Sequence, residues 1–580
     1  MDFIVKGEGV LPKVELEKAG SFQGIDLYRL TAKYETKSIP EPFTVQFRAE
    51  NRDAYAVWAP NHLFMRCATP TWRHKDNVTS DASHWAPIYQ FMDKNDCNLL
   101  TVAVSDLYTR IDTFCGIDER SGKLEVNLSF FTLPHPPVDC YETILMLDSS
   151  YRPYYESLNA VRDYWEKDYP EFQVPDAAHR RTYSSWYSFQ RDVDASRLVE
   201  QCRMAKEYGM DTMILDDGWQ TPGGEDPYHD IGNWETCEEK FPNMEATVEE
   251  IHNLGMRVMF WIAMPFIGPD CCDYPKLKNM ILKQNYGENH YILDPRYAQV
   301  RAWYVQKLTD LMQRYHLDGF KLDFIDRFEA SNNYSNTPAA AINENMDIPE
   351  FGHAVDRLLK QVAEALRAIK PDVLIEFRQE YVGPAMQQCA NMMRVDDYAY
   401  GAMYNRVNGI DLRLLCRNTA VHSDMLMWDY DASVEAAADQ LSNILFITPQ
   451  ISMLFEKLPE SHRKMLQFYL DFMDEHRDIL QGGQLVPLHP EALYSAIYAE
   501  KEHNVIAGLY AENSFTVPAG TKHLTLINAT GRGEILLDSR KAALSGKWRI
   551  CNCMGEETAS GETFSELAAF EIPWNGFLFA

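Results

Sequence analysis

The sequence predicts an α/β protein: a (β/α)8 or TIM barrel, flanked by an N-terminal β-sandwich and a small C-terminal antiparallel β-domain. Three observations predict it. Between residues 178 and 482, apolar strand-like runs alternate with helical patterns eight times. These runs are apolar at consecutive positions, as in "TMIL" and "RVMFWIAM", so both faces of each strand must be buried, as in a parallel sheet sheathed by helices. Outside that span the rhythm changes to short alternating segments separated by turn residues.

Residues 1–170 carry alternating runs such as "FTVQFRAE", "NLLTVAVSD" and "KLEVNLSFFTL", which read as a β-sandwich. The amphipathic "YYESLNAVRDYWEKDYP" reads as a connector helix. The barrel, 178–482, takes its strands from "YSSWYSF", "TMILDD", "RVMFWIAM", "GFKLDF", "VLIEFRQ", "NMMRVDD", "MLMWDY" and "LFITPQISM". Helices such as "DASRLVEQCRMAKEYG" and "FGHAVDRLLKQVAEALRAIK" lie between them. From 484 to 580, glycine-punctuated hairpins such as "NATGRGEILLD" predict the closing β-domain. No internal repeat or low-complexity tract interrupts this order.

A formal charge of −30 disfavours nucleic acid or an anionic membrane surface as a partner, since phosphates would be repelled. A neutral small-molecule substrate is easier to reconcile with it. The first residues show neither a basic start nor an apolar run of signal-peptide length, and no segment approaches a membrane span, so a cytoplasmic chain is expected. The charge favours solubility and is compatible with a homo-oligomer. Twelve cysteines without CxxC or zinc-ligand spacing read as reduced thiols.

Barrel chemistry sits where the strands end, and here nearly every strand ends on a polar residue. The first ends near Trp186, the second at Asp216 and Asp217, and the fourth at Lys321 and Asp323. The fifth ends at Arg378, Gln379 and Glu380, and the sixth at Arg394, Asp396 and Asp397. Lys321 and Asp323 are two apart on a strand and so share a face, where the ammonium would hold the carboxyl ionised. Such a ring suits retaining glycoside hydrolysis, which needs a nucleophilic carboxylate and a second acid about 5 to 5.5 Å away. Metal-assisted enolisation or hydrolysis also collects strand-end carboxylates. The chain has no HxH or HExxH pair, and a lysine among the ligands would repel a divalent cation. No metal or organic cofactor is therefore expected. Trp186, Tyr187, Trp219, Trp261, Tyr398 and Trp428 could stack on a sugar ring or simply pack the barrel. Asp424 or Trp428, in "HSDMLMWDYD", reads as a rim residue or a structural one.

"ILDDGWQ", "GFKLDF" and "MMRVDD" on strands two, four and six together resemble, in order and spacing, the α-galactosidases of glycoside hydrolase family 36 in clan D. That resemblance implies a sandwich–barrel–β-domain architecture and a retaining exo-α-glycosidase. It implies Asp323 as nucleophile, with Lys321 beside it on the sugar hydroxyls. It also implies Asp216 and Asp217 as the acceptors for the hydroxyls of a galacto-configured ring, and Arg394 at the hydroxyl next to the anomeric carbon. Trp219, Trp186, Trp261 and Arg378 complete the expected substrate contacts. The family's acid/base aspartate commonly lies four residues after the arginine, where this chain has Tyr398. Asp397 is the first choice for the role and Asp396 the second. Mutual repulsion is expected to raise the pKa of one of them if both face the site. Arg378 departs from the small residues usual at the end of strand five. It reads either as half of a structural Arg–Glu pair or as a receptor for an anionic or N-acetylated substituent. The alternatives to an α-galactosidase are an α-N-acetylgalactosaminidase, a transglycosylase, a glycosidase for an anionic sugar, or a non-catalytic carbohydrate-binding protein.

Overall fold

The computed structural model describes residues 3–61, 65–72, 78–220, 228–333, 335–378, 381–544 and 546–580. Eight parallel strands close into a barrel: β1 Thr182–Ser184, β2 Thr212–Leu215, β3 Arg257–Ala263, β4 Gly319–Asp323, β5 Leu374–Arg378, β6 Met392–Arg394, β7 Ala420–Leu426 and β8 Thr448–Ile451. β8 pairs back onto β1 through Thr182 and Gln450, so no edge is left open. The apolar runs that predict these strands are buried at nearly every position, as a sheet covered on both sides requires. The helices outside are amphipathic; Phe351–Ile369, for example, buries Val355, Leu358, Leu359, Val362 and Leu366 and shows solvent its charged face.

Three local departures from the expected pattern matter for the site. β1 stops at Ser184, and Trp186–Phe189 form a single helical turn instead of continuing the strand, because Ser185 already has helical backbone angles. β7 begins at Ala420, five residues before the expected "MLMWDY" run, so Trp428 falls beyond its end. β5 and β6 are joined by one turn, Pro384–Gln387, in place of a full helix. Between β3 and β4 the chain also inserts a three-stranded sheet, of which Phe266–Ile267 and Tyr291–Leu293 are two strands.

Ahead of the barrel, a five-stranded and a six-stranded antiparallel sheet pack face to face around Leu30, Val45, Phe91 and Leu128. Helix Tyr154–Trp165 leads from them to the barrel. The chain closes with a seven-stranded and a three-stranded sheet between Gln484 and Phe579. The N-terminal sandwich touches the barrel near its strand ends: Ser83 Oγ donates to the Phe328 carbonyl at 2.9 Å, just past β4. All twelve cysteines are free thiols. Among the described residues, no helix is long and apolar enough to cross a membrane.

Candidate active site

β4 and β5 bring the central carboxylate and its cations together. Asp323, the last residue of β4, is 7% exposed. Its Oδ1 accepts three donors: the Phe324 amide at 2.7 Å, Arg378 Nε at 2.8 Å and the Tyr381 hydroxyl at 3.0 Å. Its Oδ2 accepts one, Trp261 Nε1 at 2.9 Å. Burial by itself would raise this carboxyl's pKa. The charges of Arg378 and Lys321, with the Trp261 hydrogen bond, outweigh it and hold Asp323 well below the usual carboxylate range. Lys321 shares the face of Asp323, as their spacing predicts, and its Nζ donates to Asp216 Oδ2 at 2.7 Å.

The aspartates after β2 have different partners. Asp216 takes Lys321 and a long contact from Ser184 Oγ, 3.4 Å, and its Oδ1 accepts the Asp217 amide. Asp217 Oδ2 accepts Arg191 Nε at 2.7 Å and the Tyr228 hydroxyl at 3.1 Å. Asp217 Oδ1 is buried and has no hydrogen-bond partner among the described residues. Burial pushes the Asp217 carboxyl up, against the charge of Arg191. A buried acceptor left unpaired costs about 1–3 kcal/mol, which a ligand hydroxyl would recover.

Arg394, on β6 directly beside Arg378 on β5, is fully buried. Its Nη1 donates to Asp424 Oδ1 at 2.5 Å and its Nη2 to Asp397 Oδ1 at 2.9 Å, while Nε lies 3.7 Å from Glu376. Two like charges on neighbouring strands are tolerable because five carboxylates surround them. Burial raises Glu376 and pushes Asp424 up to about 6; Arg394 resists both shifts. Asp424 also accepts the Tyr187 hydroxyl at 3.1 Å and the Tyr398 amide.

Asp396 and Asp397 are each held by a different arginine. Asp396 Oδ1 accepts Arg378 Nη1 at 3.1 Å, and Asp397 accepts Arg394. Burial would raise Asp397, but Arg394, Arg378 and Lys321 together lower it.

Among the expected aromatics, Trp261 reaches the site through its indole N–H. Trp219 does not: it has no exposed surface, packs 4.8 Å from Phe260 and donates to the Trp261 carbonyl, so it is a core residue. Trp186 is half-buried at the start of the helical turn after β1. Gln379 and Glu380 lie outside the described residues, and with them the Arg–Glu pair that was one reading of Arg378; among the described residues Arg378 joins Asp323 to Asp396. Arg191, Tyr228, Tyr381 and Glu376 did not emerge as candidates from the sequence. Only Glu376 carried a signal, as a charge inside an apolar strand.

The cations here are side chains, each already facing a carboxylate. Among the described residues, Asp96, His489 and Glu491 are the one group of three side chains spaced to hold a metal, and they lie outside the barrel. A 520 Å³ cavity lined by His179, Arg413, Thr419 and Phe446 sits at the opposite end of the barrel, where β1, β7 and β8 begin.

Residues 173–377 match the melibiase family model. In sequence, the chain is 22% identical over 135 residues to α-galactosidase AgaA of Geobacillus stearothermophilus, a match covering 22% of this chain and 18% of that enzyme. It is 23% identical over 146 residues to an Escherichia coli α-galactosidase, covering 24% and 20%. These matches span about a fifth of the relatives' length. In structure, the family 36 α-galactosidase AgaA superposes with a TM-score of 0.67 at 14% identity, covering 100% of this chain and 86% of that one. A Lactobacillus brevis α-galactosidase gives 0.66 at 12%, covering 100% and 85%. Variants of AgaA have been solved with raffinose and with stachyose. The segment 173–377 is therefore similar to the melibiase family, and the whole chain has the fold of the family 36 α-galactosidases.

Proposed function

We propose that this protein is a retaining exo-α-glycosidase that hydrolyses terminal α-galactosides by double displacement. The observation that carries the proposal is Asp323: a buried strand-end carboxylate held ionised by Arg378 and Lys321, with one donor on Oδ2 among the described residues. In this reading Asp323 attacks the anomeric carbon while Asp397 protonates the leaving oxygen; Asp397 then deprotonates the water that releases the sugar. Asp323 is one of the charges that raise the Asp397 carboxyl. Forming the glycosyl ester removes that charge, so Asp397 becomes the weaker proton binder at the step where it must act as base. Sugar bound over the half-exposed Asp397 would displace water and favour its protonated form beforehand.

Asp216 and the unpaired Oδ1 of Asp217 supply acceptors for ring hydroxyls, with Lys321 and Arg394 as donors nearby. A sugar lacking the matching hydroxyl would leave those acceptors buried and unsatisfied, which is the physical basis of selectivity. An anionic sugar fits less well, because Arg378 already faces two aspartates.

The test is hydrolysis of p-nitrophenyl α-galactoside, α-N-acetylgalactosaminide, α-glucoside and β-galactoside by wild type and Asp323→Ala. Selective α-galactoside turnover that vanishes in the variant supports the reading. Silence of the wild type on all four would sink it.

A further inference from the structure

The donors around Asp323 are unevenly shared, and the two oxygens of a carboxylate do different work in a double displacement. Oδ1 receives the Phe324 amide, Arg378 Nε and the Tyr381 hydroxyl within 3.0 Å, three donors for about two lone-pair sites. Among the described residues, Oδ2 receives only the Trp261 indole and keeps a lone pair. Arg378 is fixed in this pose: it also donates to Asp396 and lies over the rings of Phe324 and Tyr381 at 5.7 and 6.0 Å. Tyr381 is fully buried, and its hydroxyl is also 3.2 Å from the Leu322 carbonyl.

We infer that Oδ2 of Asp323 is the attacking oxygen, and that Arg378 and Tyr381 are positioning residues whose main effect is on breakdown of the glycosyl ester. The inference rests on the glycosidase reading above. In the first step a lone pair of Oδ2 forms the bond to the anomeric carbon. The bond to the leaving oxygen breaks, and that oxygen keeps the electron pair and takes the proton of Asp397. Oδ1 becomes the ester carbonyl, still facing its three donors. In the second step, water loses a proton to Asp397 and bonds to the anomeric carbon. The bond to Oδ2 breaks, and its electron pair returns to the carboxylate. The Arg378 and Tyr381 donors stabilise that returning charge, so the carboxylate leaves more readily, in the manner of donors aimed at developing charge elsewhere. The charge of Arg378, with that of Lys321 and the Trp261 hydrogen bond, also makes the carboxylate less basic and holds its pKa low.

This predicts an unusual phenotype. Weakening the donors slows loss of the sugar more than its attachment, whereas a defect in folding or substrate binding would not separate the two steps. The experiment is stopped-flow hydrolysis of p-nitrophenyl α-galactoside by wild type, Arg378→Met, Arg378→Lys and Tyr381→Phe, with intact-mass analysis of samples quenched during turnover. The Met and Phe variants should give a burst of about one nitrophenolate per active site and retain a hexosyl adduct. Their kcat should fall by about tenfold to a hundredfold, as for loss of a hydrogen bond to a charged group, and KM should fall with it. In Arg378→Met the acid limb of kcat/KM should also move to higher pH, because Asp323 loses the charge that does most to depress its pKa, and Arg378→Lys should restore part of each effect. Tyr381→Phe removes one oxygen and keeps the ring, so it tests the inference even if the arginine variants fold poorly. Slower variants with no burst and an unmoved acid limb would overturn the inference alone. If the wild type itself releases no nitrophenol from the α-galactoside, the glycosidase reading falls and this inference falls with it.

Discussion

Asp396 and Asp397 are neighbours in the chain, yet each answers to a different arginine, and the identity of the acid/base depends on that division. Asp396 shares the guanidinium of Arg378 with Asp323. Asp397 lies on Arg394, about half exposed, with the charge of Asp323 acting on it. In the glycosidase reading, the carboxylate that shares a guanidinium with Asp323 holds that cation in place. The one that senses the nucleophile's charge can change its protonation between the two steps. Asp397→Ala should therefore lower kcat/KM on a natural oligosaccharide by about 10³-fold, within the usual range for a lost general acid, and lower it much less on a nitrophenyl galactoside. If Asp396→Ala shows that leaving-group dependence and Asp397→Ala does not, the roles are reversed.

β4 and β5 are the elements on which the site depends, because they deliver Asp323 and Arg378 side by side. Their close approach is set by Gly319, which pairs with Leu374 at the start of both strands. A Cβ at position 319 would stand 1.9 Å from the Leu374 carbonyl oxygen, nearer than atoms can pack. Gly319→Ala must push the strands apart. The expected cost is about 3 kcal/mol or more, the upper range for overpacking, and it should appear as a lower thermal midpoint accompanied by loss of activity from displaced strand ends. An unchanged midpoint would mean that the two strands can separate without strain. The sequence announces this glycine only as a residue of "GFKLDF"; its necessity comes from a strand more than fifty residues away.

At the scale of the molecule, the three layers meet at one buried acid. Asp411, on the helix after β6, accepts Trp58 Nε1 at 2.9 Å and Arg66 Nη2 at 2.5 Å from the N-terminal sandwich, and the Tyr494 hydroxyl from the C-terminal sheets. Burial raises its pKa against the charge of Arg66, which is itself 1% exposed. Removing the acid alone would leave the buried Arg66 guanidinium without the carboxylate that faces it. Asp411→Ala should thus destabilise the chain by about 3–5 kcal/mol, read as a drop in thermal or urea midpoint. The double variant Arg66→Met, Asp411→Leu should recover most of that loss. Equal destabilisation by single and double variants would show that packing, and not the stranded charge, sets the cost.

The sequence by itself determined the barrel, its flanking sheets and the order of the strand-end carboxylates. Those features follow from periodicity and spacing along the chain: consecutive apolar residues demand two buried faces, and residues two apart on a strand share one. Lys321 beside Asp323 was legible for that reason, and so was the cluster on β6. What only the tertiary structure decided is which charge meets which. Arg378 was visible as an oddity at the end of β5, but its partners Asp323 and Asp396 come from other strands. Arg191 and Tyr228, which hold Asp217, come from loops that carry no periodic signal. Trp219, near a strand end, could stack on a sugar or pack the barrel, and the fold turns its ring into the core. Local pattern fixes the face and the element on which a residue lies. Pairing of charges across a closed barrel depends on register between distant strands, and that is set only when the whole sheet closes.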